Sequence, residues 1–170
     1  MDFTHDDIAA YKDHWTGGIY QAPRALRTAL ASLANGESVT ASYVDYNFEP
    51  HGRTIWFGAW LLNDVVVHAT AQADSHRDAP WEFRVESQYP REGEHAPVVH
   101  AGLLRVADLT SFEVTELRTS ADREHLHADA RYRLSFGNTR IILPLNPRAQ
   151  DNNQGYEDFV KAIRASWLGR

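Results

Sequence analysis

ADARYRLSFGNTRIILPL, residues 128–145, is the stretch whose reading decides the fold. Gly137-Asn138 places glycine first in a two-residue turn, a position where a tight hairpin favours positive φ. Counting outward from that turn, Tyr132, Leu134 and Phe136 fall opposite Leu143, Ile141 and Thr139. Side chains alternate across a strand, so these residues share one apolar face. Arg131, Arg133 and Arg140 fall on the other face, with Ile142. A sheet with one apolar face needs a cover. Residues 155–168 supply one: Tyr156, Phe159, Val160, Ile163 and Trp167 recur at helical spacing. Glu157 and Asp158 come early and Lys161 and Arg164 late, as the helix dipole favours. The pattern predicts an α+β chain in which an antiparallel sheet is closed off by a C-terminal helix.

Upstream, residues 37–146 read as an antiparallel β body. Ser38 to Phe48 carries apolar residues on both faces, with Val44, Tyr46 and Phe48 on one and Val39, Ala41 and Tyr43 on the other. Arg53 to Leu62 and Val65 to Ala73 form a hairpin through Asn63-Asp64. In it Leu62 faces Val65, Trp60 faces Val67 and Gly58 faces Ala69. Both faces of this hairpin are apolar. One packs on the core, and the other calls for a helix, a ligand or another chain. Trp81 to Glu86, Val98 to Val106 and Leu109 to Leu117 are further strands, and Thr119 to Glu124 is a turn.

Residues 1–36 read as a helical arm. Thr4 suits an N-cap, with Asp6 and Asp7 in the first turn. Ile8, Tyr11 and Trp15 then share a helical face that Gly17 and Gly18 end. A second helix starts near Pro23, carries Leu26, Leu30 and Leu33, and stops at Asn35-Gly36.

The 170 residues fit one domain. The absence of cysteine excludes disulfides, thiolate nucleophiles and cysteine-ligated metals. Net charge is −6, with Lys12 and Lys161 the only lysines, so neither a nucleic-acid surface nor a membrane surface is expected as partner. The first residues carry acids where a signal peptide needs bases and an apolar run. Together these features give the expectation of a cytoplasmic protein. The arginine and alanine bias suits a GC-rich bacterial genome.

No phosphate loop, nucleophile elbow, dinucleotide fingerprint or HExxH motif occurs. No catalytic residue is therefore assigned. His125, His127 and Asp129 alternate along a strand start, so two imidazoles and a carboxylate share one side. That donor set suits a divalent ion, the single cofactor candidate, although a solvated strand start explains the same residues. His68 sits on an apolar strand, as a buried histidine or as a ligand-binding group at a pocket wall. Arg131, Arg133 and Arg140 form either an anion-binding patch or a solvated face with ion pairs. Trp56 and Trp60 share one face across Gly58, where they pack in a core or recruit a partner.

The stretch Gly102-Leu103-Leu104-Arg105-Val106-Ala107-Asp108-Leu109-Thr110-Ser111-Phe112-Glu113-Val114, the hairpin Tyr132 to Leu145 and the helix from Tyr156 to Ile163 together resemble the second half of bacterial pleckstrin-homology-like domains. The resemblance covers residues 102–167. It implies a strongly bent sheet or partly open barrel of seven strands capped by the helix. The two N-terminal helices depart from that pattern. The function expected is a non-catalytic protein-binding or scaffold module, with a second copy of the chain among the candidate partners. Trp56, Trp60, Arg131, Arg133 and Arg140 are its candidate contacts. The alternative is a domain that holds a small molecule or a metal in a pocket lined by histidine and aromatic residues, with an enzyme among the forms it could take.

Overall fold

The structure is a computed structural model and describes residues 5–17, 20–48, 54–73, 98–121, 126–144 and 154–169. Its elements in chain order are α1 (His5–Ala9), β1 (Thr16–Gly17), β2 (Tyr20–Gln21), α2 (Arg24–Ala34), β3 (Ala41–Phe48), β4 (Thr54–Leu62), β5 (Val65–Ala73), β6 (Val98–Arg105), β7 (Leu109–Ala121), β8 (Leu126–Phe136), β9 (Thr139–Leu143) and α3 (Gln154–Leu168). The chain is α+β, and its sheets are antiparallel. β3 to β6 form one sheet in sequence order, and β7 to β9 form another. The chain passes between the sheets through a single 3-10 turn, Val106–Asp108. Among the described residues neither sheet closes into a barrel.

Two hairpins take the registers that their turns predict. In β8–β9, Tyr132 pairs with Leu143, Leu134 with Ile141 and Phe136 with Thr139. Gly137 has φ of 56°, which an L side chain tolerates poorly and glycine tolerates freely. In β4–β5, Leu62 pairs with Val65, Trp60 with Val67 and Gly58 with Ala69.

β3, β4 and β5 of the four-stranded sheet are buried on both sides, while β6 leaves His100, Ala101 and Leu103 exposed. One face packs Val44, Trp56, Trp60 and Val67 against Leu26 and Leu30 of α2, with Tyr11 from the N-terminal arm. The other packs Tyr43, Ala59 and Val66 against Leu134, Ile141 and Leu143 of the three-stranded sheet. Phe159 and Ile163 of α3 fill the same core. α3 therefore covers the face that the sequence assigns to it, with Tyr132 and Tyr156 ring centroids 6.1 Å apart. It also reaches the first sheet, where Tyr43 lies 5.9 Å from Tyr156 and 6.4 Å from Phe159. The helix thus seals the gap between the sheets at β3.

Several expectations need correction. The first helix does not run on to Gly17. It stops at Ala9, and a 3-10 turn at Lys12–His14 follows. Tertiary contacts override helix propensity here. The Tyr11 hydroxyl accepts the Gly36 N–H at 3.1 Å, and the Arg27 guanidinium lies 4.6 Å from the centre of the Trp15 ring. Thr16–Gly17 then pairs with Tyr20–Gln21, so the arm is not wholly helical. Val39 lies before β3 and packs with the face of Val44, not that of Tyr43. The predicted turn from Thr119 begins late, because β7 continues to Ala121. Thr4 and the strand expected at residues 81–86 lie outside the described residues.

Candidate functional site

Trp56 and Trp60 are buried to 1% and 0% exposure beneath α2. Gly58 makes this arrangement possible. A Cβ at position 58 would stand 2.0 Å from the outer ring of Trp60. Trp60 Nε1 donates to the His14 carbonyl at 2.9 Å, which ties β4 to the N-terminal arm. The face that the sequence leaves open for a helix, a ligand or another chain is covered by the chain's own helix, so no partner reaches either indole while α2 is in place.

His68 is buried on the opposite face, and its ring stacks on that of His100 with centroids 4.9 Å apart at 25°. Gly102, paired with His68, leaves room for the two rings. A Cβ there would lie 3.3 Å from His68 Nε2 and 3.8 Å from His100 Cε1. Near-parallel imidazoles aim their lone pairs side by side and do not converge them on one ion. Burial, and secondarily His100, pushes the His68 pKa below its ordinary value of 6.5. Burial acts the same way on His14, against a smaller opposing effect of Asp13. A lowered folded pKa means that the unfolded chain binds the proton more readily. This contribution to stability is present above pH 6.5 and is lost as pH falls through the folded pKa. The expected result is a melting temperature that declines below about pH 6.5, with a shallower decline in His68→Gln. An unchanged slope in that variant would count against a buried neutral His68.

The metal candidates are not brought to a described site. His125 and the side chains of His127 and Asp129 lie outside the described residues. Among the described residues no group of three histidine or carboxylate side chains gathers for an ion. One buried carboxylate escaped the sequence reading. Asp45 accepts hydrogen bonds from the Tyr43 hydroxyl at 2.5 Å and the Tyr46 N–H at 2.7 Å. Those bonds satisfy the buried carboxyl group within the fold.

Beside the N-terminal arm lies an open cleft of about 500 Å³, lined by Asp7, Tyr11, His14, Asn35, Glu37 and Val39 among others. Its size suits a small ligand. Three of its polar groups are engaged within the chain, however. Tyr11 receives Gly36 N–H, His14 Nδ1 lies 3.1 Å from Ser42 Oγ, and Glu37 lies 3.5 Å from Asn63 Nδ2.

The arginines lie on the outer face of the three-stranded sheet. Arg133 stands opposite Glu113, with an ion pair at 3.2 Å, and Arg131 stands opposite Glu116. Arg140 is exposed. Arg131 and Arg133 thus face acids across the ribbon, whereas Arg140 stands opposite Ser135.

The other side of the same ribbon is different. β7 pairs with β8 alone among the described residues, which leaves one edge of a 13-residue strand unpaired. Its pairing shifts at Thr110 and again at Thr115, each an extra residue facing none. Both threonine hydroxyls donate to carbonyls of β8, Thr110 to Ser135 at 3.0 Å and Thr115 to Arg131 at 3.2 Å. The second bulge resets the alternation. Val114 stands opposite Tyr132 and Leu117 opposite Ala130, so the two share the inner face although they are three apart. They are 56% and 61% exposed. Next to them, Phe112 stacks on Trp167 of α3 at 6.3 Å. The sequence does hold a trace of this arrangement. In Val114-Thr115-Glu116-Leu117 the apolar residues break period two, as a bulge requires.

Comparison with protein-family models, with curated proteins and with solved structures finds no match. Among the described residues no helix is long and apolar enough to cross a membrane.

Proposed function

We propose that the chain is a non-catalytic protein-binding module that receives its partner by strand addition along β7. One observation carries this reading: a long strand whose edge is unpaired among the described residues also displays Val114 and Leu117 on one face. An unpaired edge offers a row of backbone donors and acceptors, and exposed apolar side chains beside it add the area that an incoming strand buries. The cleft supports a ligand-binding reading less well, because Tyr11 and His14 at its wall already have partners within the chain.

The architecture proposed with it is pleckstrin-homology-like. Four antiparallel strands, then three, then a closing helix support that assignment. The N-terminal helices are then an addition that covers the outer face of the first sheet. The setting proposed is the bacterial cytoplasm, which suits a cysteine-free, arginine-biased chain. Of the contacts that the sequence suggests, Arg131 and Arg133 border the docking strand through Glu116 and Glu113. Trp56 and Trp60 serve the core.

A photoreactive phenylalanine analogue in place of Leu117 tests the reading in living cells of the native host. A discrete covalent adduct is expected from position 117, and none from Lys161 on the exposed side of α3. If neither position gives an adduct, β7 is not a docking strand.

A further inference from the structure

The geometry points to a second copy of this chain as the occupant of the β7 edge, paired antiparallel to it across a two-fold axis between Thr115 and Glu116. This inference rests on the docking role proposed for β7.

The argument comes from register. In a regular strand, faces and backbone hydrogen-bonding directions both alternate with period two. A two-fold axis between two consecutive residues of such a strand would oppose residues from different faces, so the pairing fails. β7 is not regular. The extra residue at Thr115 puts Val114 and Leu117 on one face, and Glu113, Glu116 and Arg118 on the other. That shift is the one this dyad needs. Val114 then falls opposite the partner's Leu117, on the inner face of both ribbons. Glu113 falls opposite the partner's Arg118, on the outer face of both. Phe112 falls opposite the partner's Thr119, again with matching faces. Two-fold symmetry makes each contact twice.

The directly opposed charges agree with the register, and the two copies' Glu116 carboxylates, which approach each other across the axis, are each neutralised by Arg118 of their own strand. Directly opposed cross-strand charges are favourable when opposite and unfavourable when alike. Glu113 meets an arginine, and Glu116 meets the partner's Thr115. Arg118 is held by Glu116 at 2.6 Å within its own strand, which presents it near the position where the partner's Glu113 arrives. The side chains concerned are accessible, with Glu113 46% and Arg118 70% exposed. The two most exposed apolar side chains of β7 are the pair that the dyad buries.

Sedimentation of the full chain is the first test. A species of twice 19.3 kDa is expected at micromolar concentrations. Val114→Lys with Leu117→Lys should give a monomer with an unchanged circular dichroism spectrum. Glu113→Arg should weaken the dimer at least tenfold, and adding Arg118→Glu should restore it. The chain has no cysteine, so Thr115→Cys reports contact at the axis alone. The same position of the partner copy falls within the ~4.4–6.8 Å between Cα atoms that a disulfide spans, so oxidation should link two chains. Lys161→Cys should not link. A chain that stays monomeric to millimolar concentration, with no link in the Thr115→Cys variant, overturns the proposal. A dimer that survives Val114→Lys with Leu117→Lys overturns it as well. If the purified chain is monomeric while position 117 crosslinks to a different protein in cells, the homodimer falls and the docking role of β7 stands.

Discussion

Trp60→Ala is expected to cost about 3–5 kcal/mol of unfolding free energy, the range for emptying a buried aromatic site. The indole is fully buried and lies between β4 and the α2 side of the sheet. Its loss removes the hydrogen bond to the His14 carbonyl as well as the packing. Collapse around the vacancy is limited, because β3 and β5 hold β4 on both edges. A domain of this size has about 5–15 kcal/mol to lose, so the variant should forfeit from about a fifth to all of its stability. Urea unfolding followed by circular dichroism gives the number. A loss below about 1 kcal/mol would mean that the N-terminal arm does not pack on this face as described.

Phe159→Ala should match it from the other side of the sheet, with a loss of about 3–5 kcal/mol. Phe159 is fully buried, 6.4 Å from the Tyr43 ring, in the core that α3 closes. The variant should loosen α3 first. Trp167 stacks on Phe112 near the end of that helix and donates to the Leu109 carbonyl at 3.2 Å, so its fluorescence should shift to the red. Circular dichroism unfolding and the emission maximum measure both effects. A destabilised variant whose Trp167 emission stays put would show that α3 is held by its C-terminal end alone.

Much of this architecture is legible in the sequence wherever local chemistry and burial point the same way. Gly137-Asn138 and Asn63-Asp64 set two registers, because a two-residue turn leaves no slack for the strands beside it. The stripe from Tyr156 to Trp167 is legible as a helix, and its target is legible from the apolar face of β8 and β9. Coverage is harder to read. The apolar character of Trp56 and Trp60 is the same whether a partner or the chain's own α2 buries them, so only the three-dimensional arrangement decides. The short 3-10 turn after Ala9 depends on Tyr11 reaching Gly36 and Trp15 meeting Arg27, contacts with no local signature. The face pattern of β7 is only faintly legible in the sequence for a related reason. Strict alternation assigns Val114 a face, whereas the bulge at Thr115 decides which residues join it.

The burial of the β4–β5 hairpin on both faces has a consequence for how the sequence can change over generations. A strand with one wet side can exchange half its residues almost freely. β4 and β5 have almost no such half, because successive side chains enter one core or the other. Well-packed cores tolerate only changes that conserve volume. Descendants of this chain should therefore keep the character of residues 54–71 while their exposed surfaces drift, and kinship would be traced most reliably through this doubly packed segment.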